Sequence, residues 1–334
     1  MISDAALRHL REVADLPDLS GTPYEIVEPL GRGGMGAVYL ALDRKLDREV
    51  ALKVVQLPEG SQESVDRLLR EAKVLARLEH PGIVPVHDAG LLPDGRAYYA
   101  MKRVRGRRLD DYAREASLTD RLRAFERICE AVAFAHAHGV IHRDLKPENV
   151  MVGAFGEVLV MDWGVAKVRP PALNPHPPTQ LFPHGPAPSL RPSPGEGEKD
   201  RVALGGATAH GTILGTPGYM APEQERGDVA RIDERTDVWA LGAILQFLLA
   251  GADPPRPLEA IRRRAMAAEP EARYPRVEEL AADLSRYLAG LPVGAHRESL
   301  LERAGRFARR HRVAILLILA YVVMRAILLL VLGR

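Results

Sequence analysis

The chain has 334 residues, of which 46% are apolar and 27% charged, with a net charge of +2. That length suits a two-lobed domain with additions and exceeds one compact core. The near-neutral balance gives no argument for nucleic acid as a partner, and the single cysteine, Cys129, excludes an internal disulfide framework.

No basic stretch followed by an apolar run opens the chain, so no secretory signal is expected and the bulk of the chain is expected in the cytosol. Residues 1–23 form a short, weakly amphipathic extension. From Tyr24 to Gln56, alternating apolar residues and glycines predict a strand, a turn and two further strands. Val65, Leu68, Leu69, Ala72, Leu75 and Leu78 recur at helical spacing, which predicts a helix over 62–79 with Ser61 as its N-cap. Strands are predicted around Val84–Val86 and Ala97–Met101. A helix over Thr119–His138 stops at Gly139, and Cys129 falls on its apolar face as a core residue. A strand pair follows, Val150–Val152 and Val158–Met161.

Residues 169–211 differ sharply, with ten prolines between positions 170 and 194 and few apolar neighbours. Such a stretch cannot bury enough surface to offset its ordering entropy, so it reads as a disordered or polyproline loop. A ligand for a proline-binding module is the alternative. Helical patterns return at Thr236–Leu249, around Ile261–Met266 and at Val277–Leu288.

The segment Val313–Leu332 carries one charge, Arg325, and fourteen Leu, Ile and Val residues. As a helix it spans roughly 30 Å, one hydrocarbon core. A central Arg costs about 3 kcal/mol on the insertion scale, against about −4 to −8 kcal/mol from the fourteen aliphatic side chains. Insertion wins, so a membrane span is expected, with a buried or surface helix as the alternative. Arg297, Arg303, Arg306, Arg309, Arg310 and Arg312 precede it and Arg334 follows, which sets the N-terminal side in the cytosol.

Four motifs carry chemistry. Gly31-Arg32-Gly33-Gly34-Met35-Gly36-Ala37-Val38 lies between two strand-like runs. It fits a loop whose backbone N–H groups approach phosphate, and equally a structural hairpin. Lys53 ends the apolar run Val50-Ala51-Leu52, and Glu71 edges the buried face of the helix over 62–79, where a carboxylate can hold Lys53 against α- and β-phosphates. His142-Arg143-Asp144-Leu145-Lys146-Pro147-Glu148-Asn149 follows the long helix, and Asp162-Trp163-Gly164 follows the strand pair. Asp144 can accept a hydroxyl proton, Lys146 can reach a γ-phosphate, and Asn149 and Asp162 are oxygen donors suited to Mg²⁺. Each residue alone is more often a turn or cap residue; together, in this order, they are not accidental.

These motifs resemble the eukaryotic-type (Hanks-type) protein kinase family over residues 24–291, and Gly33-Gly34-Met35-Gly36 is most similar to its bacterial membrane-bound members. Lys146 resembles the Ser/Thr branch. The resemblance implies an α+β, two-lobed protein kinase fold, with a small β-rich N-lobe and a larger helical C-lobe, plus one C-terminal transmembrane helix. It implies Asp144, Lys146, Lys53 and Glu71 as catalytic residues, and Asn149 and Asp162 on Mg²⁺, with Mn²⁺ as an alternative. ATP is implied against Gly31, Arg32, Gly33, Gly34, Met35, Gly36, Val38, Ala51, Lys53 and Met101, where Met101 guards the adenine pocket and residues 102–104 form the hinge. Gly215 to Glu223 resembles the end of an activation segment. Glu223 is implied to pair with Arg273, and Asp237 to brace the catalytic loop. Arg143 before Asp144 implies control by a phosphorylated loop, with Thr208 and Thr212 as phosphorylation candidates.

The expected organisation is an extension (1–23), a kinase domain (24–291) with the insertion at 169–211, a basic juxtamembrane segment (292–312) and a span (313–332). The expected setting is a bacterial cell membrane, single-pass, with protein substrates that include the chain itself or membrane neighbours, a lipid bilayer as partner, and homodimer formation. Three departures from the family pattern stand out: Trp163 replaces Phe, the insertion sits in the activation segment, and the interval from Glu223 to Arg273 is short, as though a peptide-docking helix were missing. Trp163 is still bulky and apolar and is expected to keep the packing role; the other two departures support an alternative, a membrane-anchored pseudokinase acting as a binding or scaffold module.

Overall fold

Strands β1 (Tyr24–Gly33), β2 (Gly36–Asp43) and β3 (Arg48–Val55) pair antiparallel in succession. Strands β4 (Val86–Leu91) and β5 (Ala97–Lys102) complete a five-stranded sheet in the order β1-β2-β3-β5-β4. The computed structural model describes residues 16–33, 36–55, 69–70, 72–163, 167–168, 218–251, 253–299, 303 and 311–332.

Side chains alternate across a strand, so the register sorts this sheet into two faces. Tyr39, Ala41, Val50, Leu52, Val54, Tyr98 and Ala100 share one face and form the N-lobe core with Tyr24 and Leu92. The other face carries Val38, Lys53 and Tyr99 in one cross-strand row and Ala51 opposite Met101 in another. That second face looks onto the interlobe cleft. Gly36 has φ +138°, and a Cβ there would lie 2.0 Å from the Val54 carbonyl oxygen. Close approach of β2 to β3 therefore requires this glycine whatever binds above it.

The chain then passes through the short strand β6 (Arg107–Arg108) into the helical lobe. Its helices are α1 (Leu109–Glu115), α2 (Leu118–Ala137), α3 (Pro222–Glu225), α4 (Glu234–Leu249), α5 (Arg256–Ala265) and α6 (Val277–Leu288). Short strands β7 (Val140–Ile141), β8 (Val150–Val152), β9 (Val158–Val160) and β10 (Lys167–Val168) lie between α2 and α3. Ser117 caps α2 by accepting the Asp120 N–H at 3.2 Å, and Gly139, at φ +75°, ends it in the left-handed region. Helix α4 is buried on most of its surface and forms the axis of the lobe. It crosses α5 so closely that a Cβ on Gly242 would sit 2.6 Å from Met266.

Two expectations are corrected. The strand expected at Val84–Val86 begins at Val86 and runs to Leu91. Ile83 and Val84 instead reach β9 through a parallel bridge and the Val84 N–H to the Val160 carbonyl, so their apolar character reflects burial between lobes. In the helix expected over 62–79, the described residues 69–70 and 72–75 are helical as expected, but the chain then tightens into turns through Leu78 instead of continuing to 79. Positions 56–68 lie outside the described residues, as do the insertion at 169–211 and most of the extension. Between α4 and α5 the described residues form no helix, in keeping with the short interval read from the sequence.

Helix α7 (Arg312–Leu332) coincides with the expected membrane span. Every described side chain on it, from Val313 to Arg325, is exposed. Among the described residues, which for its side chains end at Arg325, no helix is long and apolar enough to cross a membrane.

Glu223 on α3 and Arg273 form a fully buried, bidentate pair at 2.7 and 2.8 Å. Arg273 also donates to the carbonyls of Arg235, Ala267 and Ala268, so all five of its N–H bonds are used. Burial alone would raise the Glu223 pKa; Arg273 and the Thr236 hydroxyl more than offset it, and the net shift is downward. The pair's contribution is therefore complete above the unfolded carboxylate pKa of about 4.3 and is lost as pH falls through the lower folded value. Glu223→Ala strands a buried guanidinium and is predicted to cost about 3–5 kcal/mol in urea unfolding at pH 7. A change under 1 kcal/mol would contradict this account.

Candidate active site

The loop after β7 is held from below by one carboxylate. Asp237 of α4 is fully buried and accepts the His142 N–H at Oδ2 and the Arg143 N–H at Oδ1, both at 2.8 Å. His136 of α2 contacts Oδ2 through Nε2 at 2.7 Å. Desolvation pushes the Asp237 pKa up; His136, His142 and the loop amide more than offset it, and the net shift is downward. Arg143 occupies the left-handed region at φ +70°, unusual for a residue with a Cβ. Its amide is fixed by Asp237, and its carbonyl accepts the buried Gln224 side chain at 2.8 Å. The surroundings over-determine this strained turn, as strain at a working site requires.

The turn delivers Asp144 to the cleft. Lys146 Nζ lies 3.1 Å from Asp144 Oδ2. Asn149 donates from Nδ2 to the Asp144 carbonyl at 2.8 Å and approaches Asp144 Oδ2 at 3.3 Å. The His142 ring accepts the Asp144 N–H at Nδ1, so its Nε2–H donates to the Met161 carbonyl at 2.9 Å. The Met161 N–H donates to the Asn149 carbonyl at 2.8 Å. The catalytic loop and the segment entering Asp162 are thus laced together by backbone and imidazole.

Asp162 is also left-handed, at φ +59°. Its carboxylate forms an ion pair with Lys53 across the two lobes. Burial alone would lower the Lys53 pKa; Tyr99 and Asp162 more than offset it, and the net shift is upward, so the ammonium stays charged. Trp163 keeps the packing role expected of it: it is buried, donates Nε1–H to the Val160 carbonyl at 3.1 Å, and lies against the His142 ring at 4.5 Å.

The structure therefore brings Lys53, Asp144, Lys146, Asn149 and Asp162 into one cleft, under the sheet face that carries Val38, Ala51 and Met101. Gly31, Arg32 and Gly33 end β1 above it. Gly34, Met35, Glu71, Thr208 and Thr212 lie outside the described residues. The donor set fits a hard cation. With Nδ2 of Asn149 committed to Asp144, its side chain offers an oxygen, and Asp162 offers a carboxylate. Among the described residues no group of three or more His, Cys, Asp or Glu forms a metal cluster, as suits an ion that takes most of its ligands from phosphate and water. Sequence reasoning missed His136, Gln224 and Tyr99. The period-two pattern alone could have marked Tyr99, since it shares a parity with Met101.

Residues 24–180 match the family model described as protein kinase domain. The serine/threonine-protein kinase PknD of Chlamydia trachomatis is 33% identical over 326 residues, covering 84% of this chain and 33% of that protein. The protein of the same name from Protochlamydia amoebophila is 32% identical, covering 80% of this chain and 30% of its own length. The chain thus spans about a third of the length of these curated relatives. The crystal structure of the Mycobacterium tuberculosis PknI kinase domain superposes with a TM-score of 0.56 at 26% identity, covering 80% of this chain and 96% of that one.

Asp237→Asn turns an acceptor into an N–H donor facing either a backbone N–H or His136. It is predicted to destabilise the fold by about 2–4 kcal/mol and to lower turnover more than the loss of folded protein explains. Thermal melts beside turnover per folded molecule check this; an unchanged turnover would remove the bracing role.

Proposed function

The chain carries a protein kinase domain with the two-lobed kinase fold, and from that premise we propose that it is a Ser/Thr protein kinase transferring the γ-phosphate of ATP to Ser and Thr hydroxyls, its own among them. The observation that carries this is the convergence of Lys53, Asp144, Lys146, Asn149 and Asp162 in one cleft. The pseudokinase alternative has no comparable support, because each of these groups is in place.

Asp144 takes the proton of the acceptor hydroxyl as its oxygen bonds to phosphorus and the bond to the ADP oxygen breaks. Lys146, beside that carboxylate, sets positive charge where the equatorial oxygens of the transferring group collect negative charge. Lys53 holds the α- and β-phosphates, and Glu71 is assigned to steady it. Asn149 and Asp162 would hold Mg²⁺ or Mn²⁺, which when bound neutralises phosphate charge. Val38, Ala51 and Met101 supply the apolar wall for the base. Thr208 and Thr212 remain the sites assigned to activating phosphorylation, with Arg143 as their partner.

Asp144→Asn is predicted to lower kcat by about 10²–10⁴ while ATP affinity stays within about twofold. Asp162→Asn should weaken Mg-ATP binding as well, because a metal ligand is lost. Phosphate incorporation with calorimetric ATP titration checks both, and near wild-type turnover in the two variants would overturn the mechanism.

The same reading includes a bacterial cell membrane as the setting. A helix apolar on all faces belongs in a core or in lipid, and no described side chain of α7 is buried against the domain. Arg325 has a polar neighbour one turn back, its Nη1 lying 3.5 Å from the Tyr321 hydroxyl. With the arginines of 297–312 on the cytosolic side, the kinase domain lies in the cytoplasm, and protein substrates are membrane neighbours or a second copy of the chain. Full-length protein is predicted to stay in the membrane pellet through high salt and alkaline wash and to leave with detergent. Release by salt or alkali alone would end the spanning assignment.

A further inference from the structure

Between Val313 and Leu332, helix α7 carries one charge, Arg325, and no Asp or Glu of its own. In the membrane-bound reading proposed above, on which this inference rests, the helix rise sets the depth of that charge. At about 1.5 Å per residue its Cα lies about 18 Å beyond Val313 and about 10 Å short of Leu332. The outer surface is the nearer one, yet the side chain does not reach for it. Side chains on a helix lean toward its N-terminus, and Arg325 Nη1 lies 3.5 Å from the hydroxyl of Tyr321, one turn back. The guanidinium is thereby held near the middle of the span, away from both layers of headgroups. Tyr321 offers it one acceptor, whereas it has five N–H donors and a full positive charge. Among the described residues it meets no other hydrogen-bonding partner.

We propose that the Tyr321–Arg325 face of α7 docks a transmembrane helix of another protein, one that carries an Asp or Glu near the bilayer midplane. Charge complementarity selects this occupant. An ionised side chain in hydrocarbon pairs with an opposite charge or lines a polar cavity, and a carboxylate matches a planar guanidinium in shape as well as in charge. A second copy of the chain does not supply one: two parallel α7 helices meeting on this face would bring two arginines together at one depth. Lipid phosphate does not supply one either, because reaching it means turning the side chain outward against its lean. The rest of the helix is aliphatic, and lipid solvates an aliphatic surface as well as another helix does. Tyr321 and Arg325, one turn apart and both exposed, mark the one face that lipid solvates badly. Pairing there gives the kinase domain one preferred membrane neighbour.

The test places the full chain, labelled at its N-terminus with a donor fluorophore, in liposomes with acceptor-labelled synthetic polyleucine helices. The probe helices carry Asp at the midplane, Asn at the midplane, Asp one turn nearer either surface, or Leu throughout. The midplane-Asp helix is expected to associate about tenfold more tightly than the all-Leu helix, with the Asn helix weaker than the Asp helix by about threefold. Arg325→Leu is expected to remove the preference for Asp. That substitution makes α7 more apolar, so it inserts at least as well, and lost association is not lost insertion. Equal binding of the midplane-Asp helix and either the Asn or the all-Leu helix would overturn the proposal. A preference for Asp nearer a surface would overturn it too, since it places the guanidinium at the headgroups. Self-association of the wild-type chain that Arg325→Leu abolishes would give the face to a second copy and equally end the proposal. Failure of the membrane-bound reading itself shows differently: the chain would then leave the liposomes in alkaline wash, whichever probe helix they hold.

Discussion

A single buried carboxylate sets the geometry on which the cleft depends. Asp237 sits on α4, the helix whose sides are most completely enclosed by the lobe. Burying an anion is costly, and it is tolerated here because its oxygens meet two backbone N–H groups and an imidazole. The direction of its pKa shift shows which side wins: the contacts outweigh desolvation. The catalytic loop is thereby referenced to the core rather than to the surface. The left-handed backbone at Arg143, a state costing about 1–3 kcal/mol, persists because Asp237 holds its amide and Gln224 its carbonyl.

From that fixed loop, order spreads by short links rather than by bulk packing. His142 reaches Met161, and Met161 returns to Asn149, so the loop bearing Asp144 and the segment bearing Asp162 cannot shift separately. The connection to the other lobe is of a different kind. Lys53 and Asp162 meet as an ion pair in which Asp162 remains about 40% exposed, so solvent or a ligand can compete for it. The rigid half of the site is the C-lobe half. The N-lobe contributes a sheet with one dry face, which stabilises it, and one face of mixed chemistry, which is free to meet a nucleotide.

Much of this was legible in the sequence, and the reasons are local. The charged residues of the four motifs are close along the chain or follow strands whose apolar runs are distinct, so their types and order carry the site. The strands of the N-lobe announce themselves by alternation, and α2 by its helical run and its terminal glycine. Glu223 and Arg273, fifty residues apart, came from resemblance rather than from pattern, and the structure joins them. His136 and Gln224 were not legible. Nothing in the local pattern sets either apart, and its partner is set by how α2, α3 and α4 pack. Tyr99 was passed over because a tyrosine in a strand is ordinarily core; its parity with Met101 marks its face, and the register across β3 and β5 sets it opposite Lys53. Gly36 was read equally for a phosphate loop and for a structural hairpin, and the atom that demands a glycine is the Val54 carbonyl of the neighbouring strand. The strand at Val86–Leu91 was misplaced because His87, Asp88 and Gly90 do not alternate with apolar residues, while the more apolar Ile83 and Val84 belong to a different contact.

The far end of the domain bears on how such a site is used. Asp283 of α6 is buried and gathers the Tyr274 hydroxyl at 2.9 Å and the N–H groups of Gly294 and Ala295 at 2.7 and 2.9 Å, and Val293 beside them enters the main core. The chain is therefore fastened to the C-lobe until just beyond Ala295. From His296 to the start of α7 roughly sixteen residues remain, a reach of at most about 58 Å even fully extended. In the membrane-bound reading this is a short leash with a fixed point of attachment. It confines the cleft to a shell near the bilayer, so the acceptors it meets most often are those confined to the same shell. Encounter frequency, set by tether length, then contributes to substrate choice alongside the surface between α4 and α5, where the described chain forms no further helix. The hydrogen-bond network around Asp237 holds the catalytic loop in place, and in the proposed membrane-bound form the fastening at Asp283 sets where the cleft sits.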